Sequence, residues 1–229
     1  LVSPGDEVMY HEPCYVSYAP TVILAGGTPR YVPTSADSGF RLNYDLLRAA
    51  VGPRTKAIVI NYPNNPTGAT MRRDDLEQLV RFAEEHDLII LSDEIYAELT
   101  YKGRHVAVGA LPGAKERTLL VSGFSKAFAM TGWRLGYLCG PAELIAAMVK
   151  IHQYTILCAP TISQHAAIEA LRNGDADIEA MRDEYRRRRN FIVKAFNELG
   201  LPTLQPEGAF YAFASIRETG MTSEEFCTA

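Results

Sequence analysis

Three stretches of the chain are apolar without interruption and rich in branched side chains: Lys56-Ala57-Ile58-Val59-Ile60-Asn61, Leu88-Ile89-Ile90-Leu91 and Thr118 to Ser122. A strand that faces water on one side alternates apolar with polar residues. A strand that does not alternate must be covered on both faces. Helical patterns lie between these runs. Asn43 is a plausible N-cap for a helix carrying Leu46, Leu47, Ala50 and Val51, closed by Gly52-Pro53. Thr70 is read as the cap of the next, with Asp74 and Asp75 near its start and Leu76, Leu79, Val80 and Ala83 on one stripe. Buried strands alternating with amphipathic helices predict an α/β fold, a mostly parallel sheet sandwiched by helices. Val8-Met9-Tyr10, Tyr31-Val32-Pro33 and Leu135 to Cys139 are further strand candidates, and Tyr15 to Ala25 a helix stopped by Gly26-Gly27.

After Pro141 the pattern becomes helical, over 142–151, 161–171 and 177–199. The last helix carries Arg186 to Arg189, read as a solvated face with Tyr185, Phe191 and Phe196 turned inward. A turn at Pro206-Glu207-Gly208 precedes an expected strand over Ala209 to Ile216. This organisation predicts a large domain over 1–175, an interdomain helix over 176–200, and the beginning of a smaller α+β domain over 201–229. The opening "SPGDEVMY" reads as a loop entering a strand and the closing "TSEEFCTA" as a helix just starting, so both ends read as cut.

Charge removes several function classes. The 23 Lys and Arg face 27 Asp and Glu, a net charge of −4, whereas binding by phosphate neutralisation calls for a basic excess. No apolar run approaches the roughly 18–20 residues of a membrane span. Cys14, Cys139, Cys158 and Cys227 show no ligand spacing, so no metal site is expected and the thiols read as reduced. The five His (His11, His86, His105, His152, His165) form no motif and read as core or surface residues.

Three segments fall where strands end, the place at which open α/β sheets bind ligands. Asn61 to Gly68 ("NYPNNPTG") is rich in amide donors and acceptors, though Asn, Pro and Gly also favour plain turns. Ser92-Asp93-Glu94-Ile95-Tyr96 places an Asp at the end of an apolar strand, where it needs a cation, hydrogen bonds or a helix to cap. Ser122 to Tyr137 ("SGFSKAFAMTGWRLGY") holds a Lys among apolar neighbours, followed by an Arg. Desolvation favours the neutral amine, which is the nucleophile.

These segments, in this order, resemble class I/II aminotransferases, fold type I of the pyridoxal-phosphate enzymes. The Lys-containing segment is similar over its whole length. "NPTG", "DEIY", the aromatic segment Pro13 to Tyr18 and "PEGAFYAF" extend the resemblance over essentially the whole chain. The resemblance implies that Lys126 carries pyridoxal 5'-phosphate as a Schiff base and later moves the Cα proton. It implies that Asp93 pairs with the pyridine nitrogen, and that Asn65 and Tyr96 bond the phenolic oxygen. Tyr15 would stack on the ring, while Arg134 and Ser125, with Ser122 as a weaker candidate, would hold the phosphate. Gly123 stands where some relatives have another phosphate-binding Ser. Cis peptides are expected at Glu12-Pro13 and Asn65-Pro66.

The implied activity is amino transfer from an L-α-amino acid (aspartate, aromatic or related) to a 2-oxo acid, in a cytoplasmic, homodimeric parent without nucleic-acid or membrane partners. "KIHQYTILCAPTISQ" looks like the subgroup acting on aspartate, aromatic amino acids or acetylated diaminopimelate. Alternatives are a lyase or synthase with the same cofactor, and a non-catalytic effector domain. In relatives the glycine-rich phosphate cradle and the Arg clamping the substrate carboxylate fall outside the span matched here. The 229 residues are therefore expected to bind cofactor weakly and turn over little.

Overall fold

The computed structural model describes Leu1–Ala229. Six strands form one sheet: β1 (Glu7–Glu12), β2 (Thr28–Pro33), β3 (Thr55–Asn61), β4 (Ile89–Asp93), β5 (Thr118–Gly123) and β6 (Gly136–Cys139). Their order is β2-β1-β3-β4-β5-β6. The first five are parallel, and β6 runs antiparallel to β5. Connections between the parallel strands include α1 (Tyr18–Leu24), α2 (Tyr44–Ala50) and α3 (Arg73–Glu85). Three longer helices follow, α4 (Ala142–Thr155), α5 (Thr161–Asn173) and α6 (Asp175–Glu198), and α7 (Ser223–Thr228) is a short last turn.

Strand alternation divides the core. Met9, Ile58, Ile60 and Ile90 point to the face covered by α2 and α3, where they pack with Leu47, Leu76, Leu79 and Ala83. Val8, Tyr10, Ala57 and Val59 point the other way, to Val22 of α1. This two-sided burial is why β3 and β4 carry no alternation. Asn43 caps α2 as the sequence predicts, its Oδ1 accepting from the N–H groups of Asp45 (3.0 Å) and Leu46 (3.1 Å).

The second helix begins later than expected. Arg72, not Thr70, stands at the N-cap of α3. The Thr70 hydroxyl instead donates to Glu207 Oε2 at 2.7 Å, a partner from the far end of the chain. Helix α1 likewise starts at Tyr18 instead of Tyr15, which leaves Tyr15 in the preceding loop. Phe191 is 74% exposed, a correction to its inward placement; Tyr185 does pack inward, against Phe210. The arginine run is the solvated face expected. Arg186 pairs with Asp183, and Arg187 and Arg188 share Glu184, all within α6. Only Arg189 works at longer range, lying over the Tyr101 ring and donating to the Pro206 carbonyl.

The strand expected over Ala209 to Ile216 does not form. Only isolated bridges occur, Thr100 with Gly208 and Thr203 with Ala214. A strand needs a continuous neighbour to satisfy its backbone groups, and no second strand lies alongside here. Side-chain packing holds the segment instead: Ala209 and Phe210 join Tyr96, Leu99 and Tyr185 in a small cluster. The backbone of Gly68 also accepts from both Glu207 N and Gly208 N at 2.9 Å. Gly68 has φ +69°, and a Cβ there would lie 2.4 Å from Pro206 Cβ. That close approach explains why glycine ends the "NPTG" loop.

Candidate active site

The C-terminal ends of β1, β3, β4 and β5 open on one cleft of about 310 Å³. Asn61 and Asp93 are register partners at the ends of β3 and β4 and share the sheet face that carries Val59 and Leu91. Both therefore face this cleft, together with Asn65, Tyr96, Ser125, Lys126 and Arg134. Tyr15 from the β1–α1 loop lines it as well. The fold thus gathers seven of the eight predicted residues. Ser122 stands apart: its hydroxyl donates to the Glu94 carbonyl at 3.3 Å, and it lines a neighbouring apolar groove.

Asp93 is held from three sides. Tyr18 Oη donates to Oδ2 at 2.6 Å and Ile95 N to Oδ1 at 3.1 Å, while Asn61 Nδ2 donates to the Asp93 carbonyl at 3.0 Å. Burial raises the carboxyl pKa above the ordinary 3.8; the bonds from Tyr18 and Ile95 oppose that rise only in part. No Lys, Arg or His nitrogen lies within 4.0 Å of this carboxylate. The Tyr18 phenol is itself driven upward, by burial first and then by Asp93, so it stays a protonated donor.

Asn61 links this cluster to the loop that follows β3. Its Oδ1 accepts from Asn65 N at 2.8 Å and fixes the loop's first turn. Beneath it, His11 is fully buried and stacked on Tyr62 at 4.9 Å. Burial pushes its pKa down to about 4, so the ring is neutral near pH 7 and its Nε2 accepts from Asn61 N at 3.4 Å. Tyr96 and Tyr211 share a hydroxyl–hydroxyl bond of 2.6 Å. Burial, followed by that bond, raises the Tyr96 pKa, and the nearby Asn65 amide opposes the rise.

Lys126 Nζ stands 5.5 Å from the centroid of the Phe210 ring. Arg134 has φ +52° and anchors one nitrogen, Nη1, on the Thr131 carbonyl at 3.0 Å. A left-handed arginine costs on the order of 1 kcal/mol or more, a strain typical of functional positions. Gly123 and Gly136 are paired across β5 and β6. A Cβ on Gly123 would come within 2.9 Å of Gly136 Cα, so no serine fits there without a shift of the strand. The peptides Glu12-Pro13 and Asn65-Pro66 are cis as expected, and Tyr62-Pro63 is a third.

Sequence reasoning placed Tyr18, Asn61, Thr131 and Tyr211 inside the matched segments but gave none of them a role in the site. Period-two alternation from Asp93 back along β4, carried across the register to β3, was the signal that could have found Asn61. Tyr18→Phe should test the role of the first. A hydrogen bond to a charged group contributes roughly 1.5–3 kcal/mol, or about one to two pKa units. Its loss raises the Asp93 pKa further. The acid limb of any binding that needs ionised Asp93 then moves to higher pH, with affinity falling more at pH 6 than at pH 8. Titration of ligand affinity against pH checks this, and an unmoved acid limb would show that Tyr18 does not act through Asp93.

Comparison with known proteins agrees with this geometry. The family described as aminotransferase class I and II matches residues 1–229. An aspartate aminotransferase of Pyrococcus abyssi is 50% identical over 229 residues, covering 99% of this chain and 59% of the relative. Aromatic-amino-acid aminotransferase 2 of Thermococcus litoralis is also 50% identical, with the same coverage of each chain. The crystal structure of an aromatic aminotransferase from Pyrococcus horikoshii superimposes with a TM-score of 0.96 at 49% identity, over 99% of this chain and 61% of that one. The chain thus spans about three fifths of the length of these relatives. Both the sequence match and the shared fold establish that this chain belongs to the class I and II aminotransferases.

Proposed function

We propose that the cleft is the cofactor site of a pyridoxal-phosphate-dependent transaminase acting on aspartate, aromatic or related L-α-amino acids with a 2-oxo acid acceptor. One observation carries the reading. A buried carboxylate without a cationic partner, an amine and an arginine line a single cleft. Such a set fits a group that bears a protonatable ring nitrogen, an aldehyde and a phosphate. Pyridoxal phosphate, when bound, supplies the aldehyde that takes the substrate amine and the ring that accepts the electron pair left at Cα.

The chain's own residues do the rest. Asp93 keeps the ring nitrogen protonated, because an ion pair in a poorly solvated site favours both charges. Asn65 and Tyr96 would bond the phenolic oxygen. Arg134 and Ser125 would take the phosphate, and Tyr15 would cover one ring face. Lys126 would hold the aldehyde, and its amine would be the base for the proton at the substrate Cα. The names of the archaeal relatives support the substrate classes. The same proposal takes 1–175 as the cofactor domain, 176–200 as the interdomain helix and 201–229 as the beginning of a smaller domain. It takes the whole protein as a cytoplasmic homodimer on resemblance alone.

Borohydride reduction after incubation with pyridoxal phosphate tests the assignment. A single pyridoxyl label on the Lys126 peptide is expected, and it should vanish in Lys126→Arg. A label distributed over other lysines would contradict the site.

A further inference from the structure

A second cavity, of about 260 Å³, lies on the opposite side of the sheet. Its floor is Ile60 and Ser92, which are register partners one residue before Asn61 and Asp93. Successive strand residues point to opposite faces, so the two cavities sit back to back through the ends of β3 and β4. This one shares no lining residue with the cofactor cleft.

Its walls are basic. Arg72 and Arg73 come from the start of α3, and Lys102, Arg104 and His105 from the loop after β4. Glu207 is the one carboxylate that lines it. Two of the cations are already paired: Arg73 with Glu77 at 3.3 Å and Lys102 with Glu207 at 3.0 Å. His105 bonds the buried Glu94 at 2.6 Å. Glu94 is in turn saturated by Ser92 Oγ (2.9 Å) and Val108 N (3.0 Å), so the back wall is a rigid, satisfied network. The guanidinium groups of Arg72 and Arg104 have no carboxylate within 4.0 Å. The start of α3 is already capped by Asp75, whose Oδ2 accepts from Arg72 N at 3.3 Å, so the attraction for a small anion comes from the two exposed guanidinium groups that line this one concave site.

We propose that this back cavity binds a small oxyanion, phosphate or a carboxylate, between Arg72 and Arg104. Guanidinium forks suit either group because both present paired oxygens.

Calorimetric titration with inorganic phosphate, in a chain carrying Arg134→Ala to remove the cofactor's phosphate ligand, tests the proposal. Phosphate binding is expected to survive that substitution. Adding Arg72→Ala and Arg104→Ala should weaken it at least tenfold. A parallel titration with succinate distinguishes the two oxyanion classes. Hydrogen exchange on the unaltered chain gives a second reading, with phosphate or succinate slowing exchange in 70–76 and 102–106. Loss of all binding on Arg134→Ala alone, or equal affinity with and without the two back-cavity arginines, overturns the proposal. So does the lack of binding by both anions.

Discussion

Asp93→Asn is expected to weaken pyridoxal-phosphate binding on the order of a hundredfold while leaving the free protein as stable as before, or more so. The two effects have opposite signs because the carboxylate has opposite environments in the two states. In the free protein Asp93 is desolvated, hydrogen-bonded only by neutral donors, and its pKa is raised. A carboxyl group with a raised folded-state pKa binds more protons folded than unfolded over the interval between the ordinary 3.8 and the raised value. Stability from this group is therefore present below that interval and falls as pH rises through it. At pH 7 the ionised side chain opposes folding, and the neutral isostere relieves that. With the cofactor bound, the same carboxylate faces a cation. Leaving one member of a buried charge pair without its partner costs roughly 3 kcal/mol or more, which is about a hundredfold in Kd. Cofactor titration and urea denaturation of the same variant check both signs. A variant that loses stability as severely as it loses affinity would make Asp93 a structural residue.

Leu79→Ala should cost the fold about 2–5 kcal/mol, the range for deleting a large buried aliphatic side chain. Leu79 is fully buried, at the centre of the cluster between α3 and the sheet, where Ile58, Ile60, Leu76, Leu88 and Ile90 also pack. A cavity there has rigid strands on one side and a helix on the other, so little collapse can fill it. Leu46→Ala is the internal control. Leu46 sits on α2 but is 41% exposed, and its loss should stay within about 0.5 kcal/mol. Denaturant midpoints at an unchanged m-value measure both. Similar losses in the two variants would mean that the cluster is not the centre of stability.

Much of the site was legible because chemistry and topology act locally. Asp93 ends β4, Asn65 and Lys126 follow β3 and β5, and Arg134 precedes β6, each inside a short segment whose residue types are unusual together. The partners that support them were not. Tyr18 is 75 positions from Asp93 and Tyr211 is 115 from Tyr96, and no local pattern links such pairs. His105 and Glu94 meet across a loop without any ligand-type spacing, though they form one of the shortest polar contacts in the molecule. Ser122 shows the reverse case. It belongs to a well-matched segment, but its strand position turns it toward the Glu94 carbonyl and away from the cleft.

The sequence by itself determined the layer architecture. Uninterrupted apolar strands separated by amphipathic helices can be buried only in a sheet covered on both faces, whatever the details of packing. It also determined where the helix α2 starts, since Asn43 caps the helix through bonds no more than three residues away. Tertiary structure alone decided the outcomes that depend on competition between distant partners. Thr70 gave up its predicted capping role for Glu207, and Gly68 is required by the approach of Pro206. Residues 209–216, strand-like in composition, form only the single bridge from Ala214 to Thr203, because a β-ladder is a property of two chain segments and not of one.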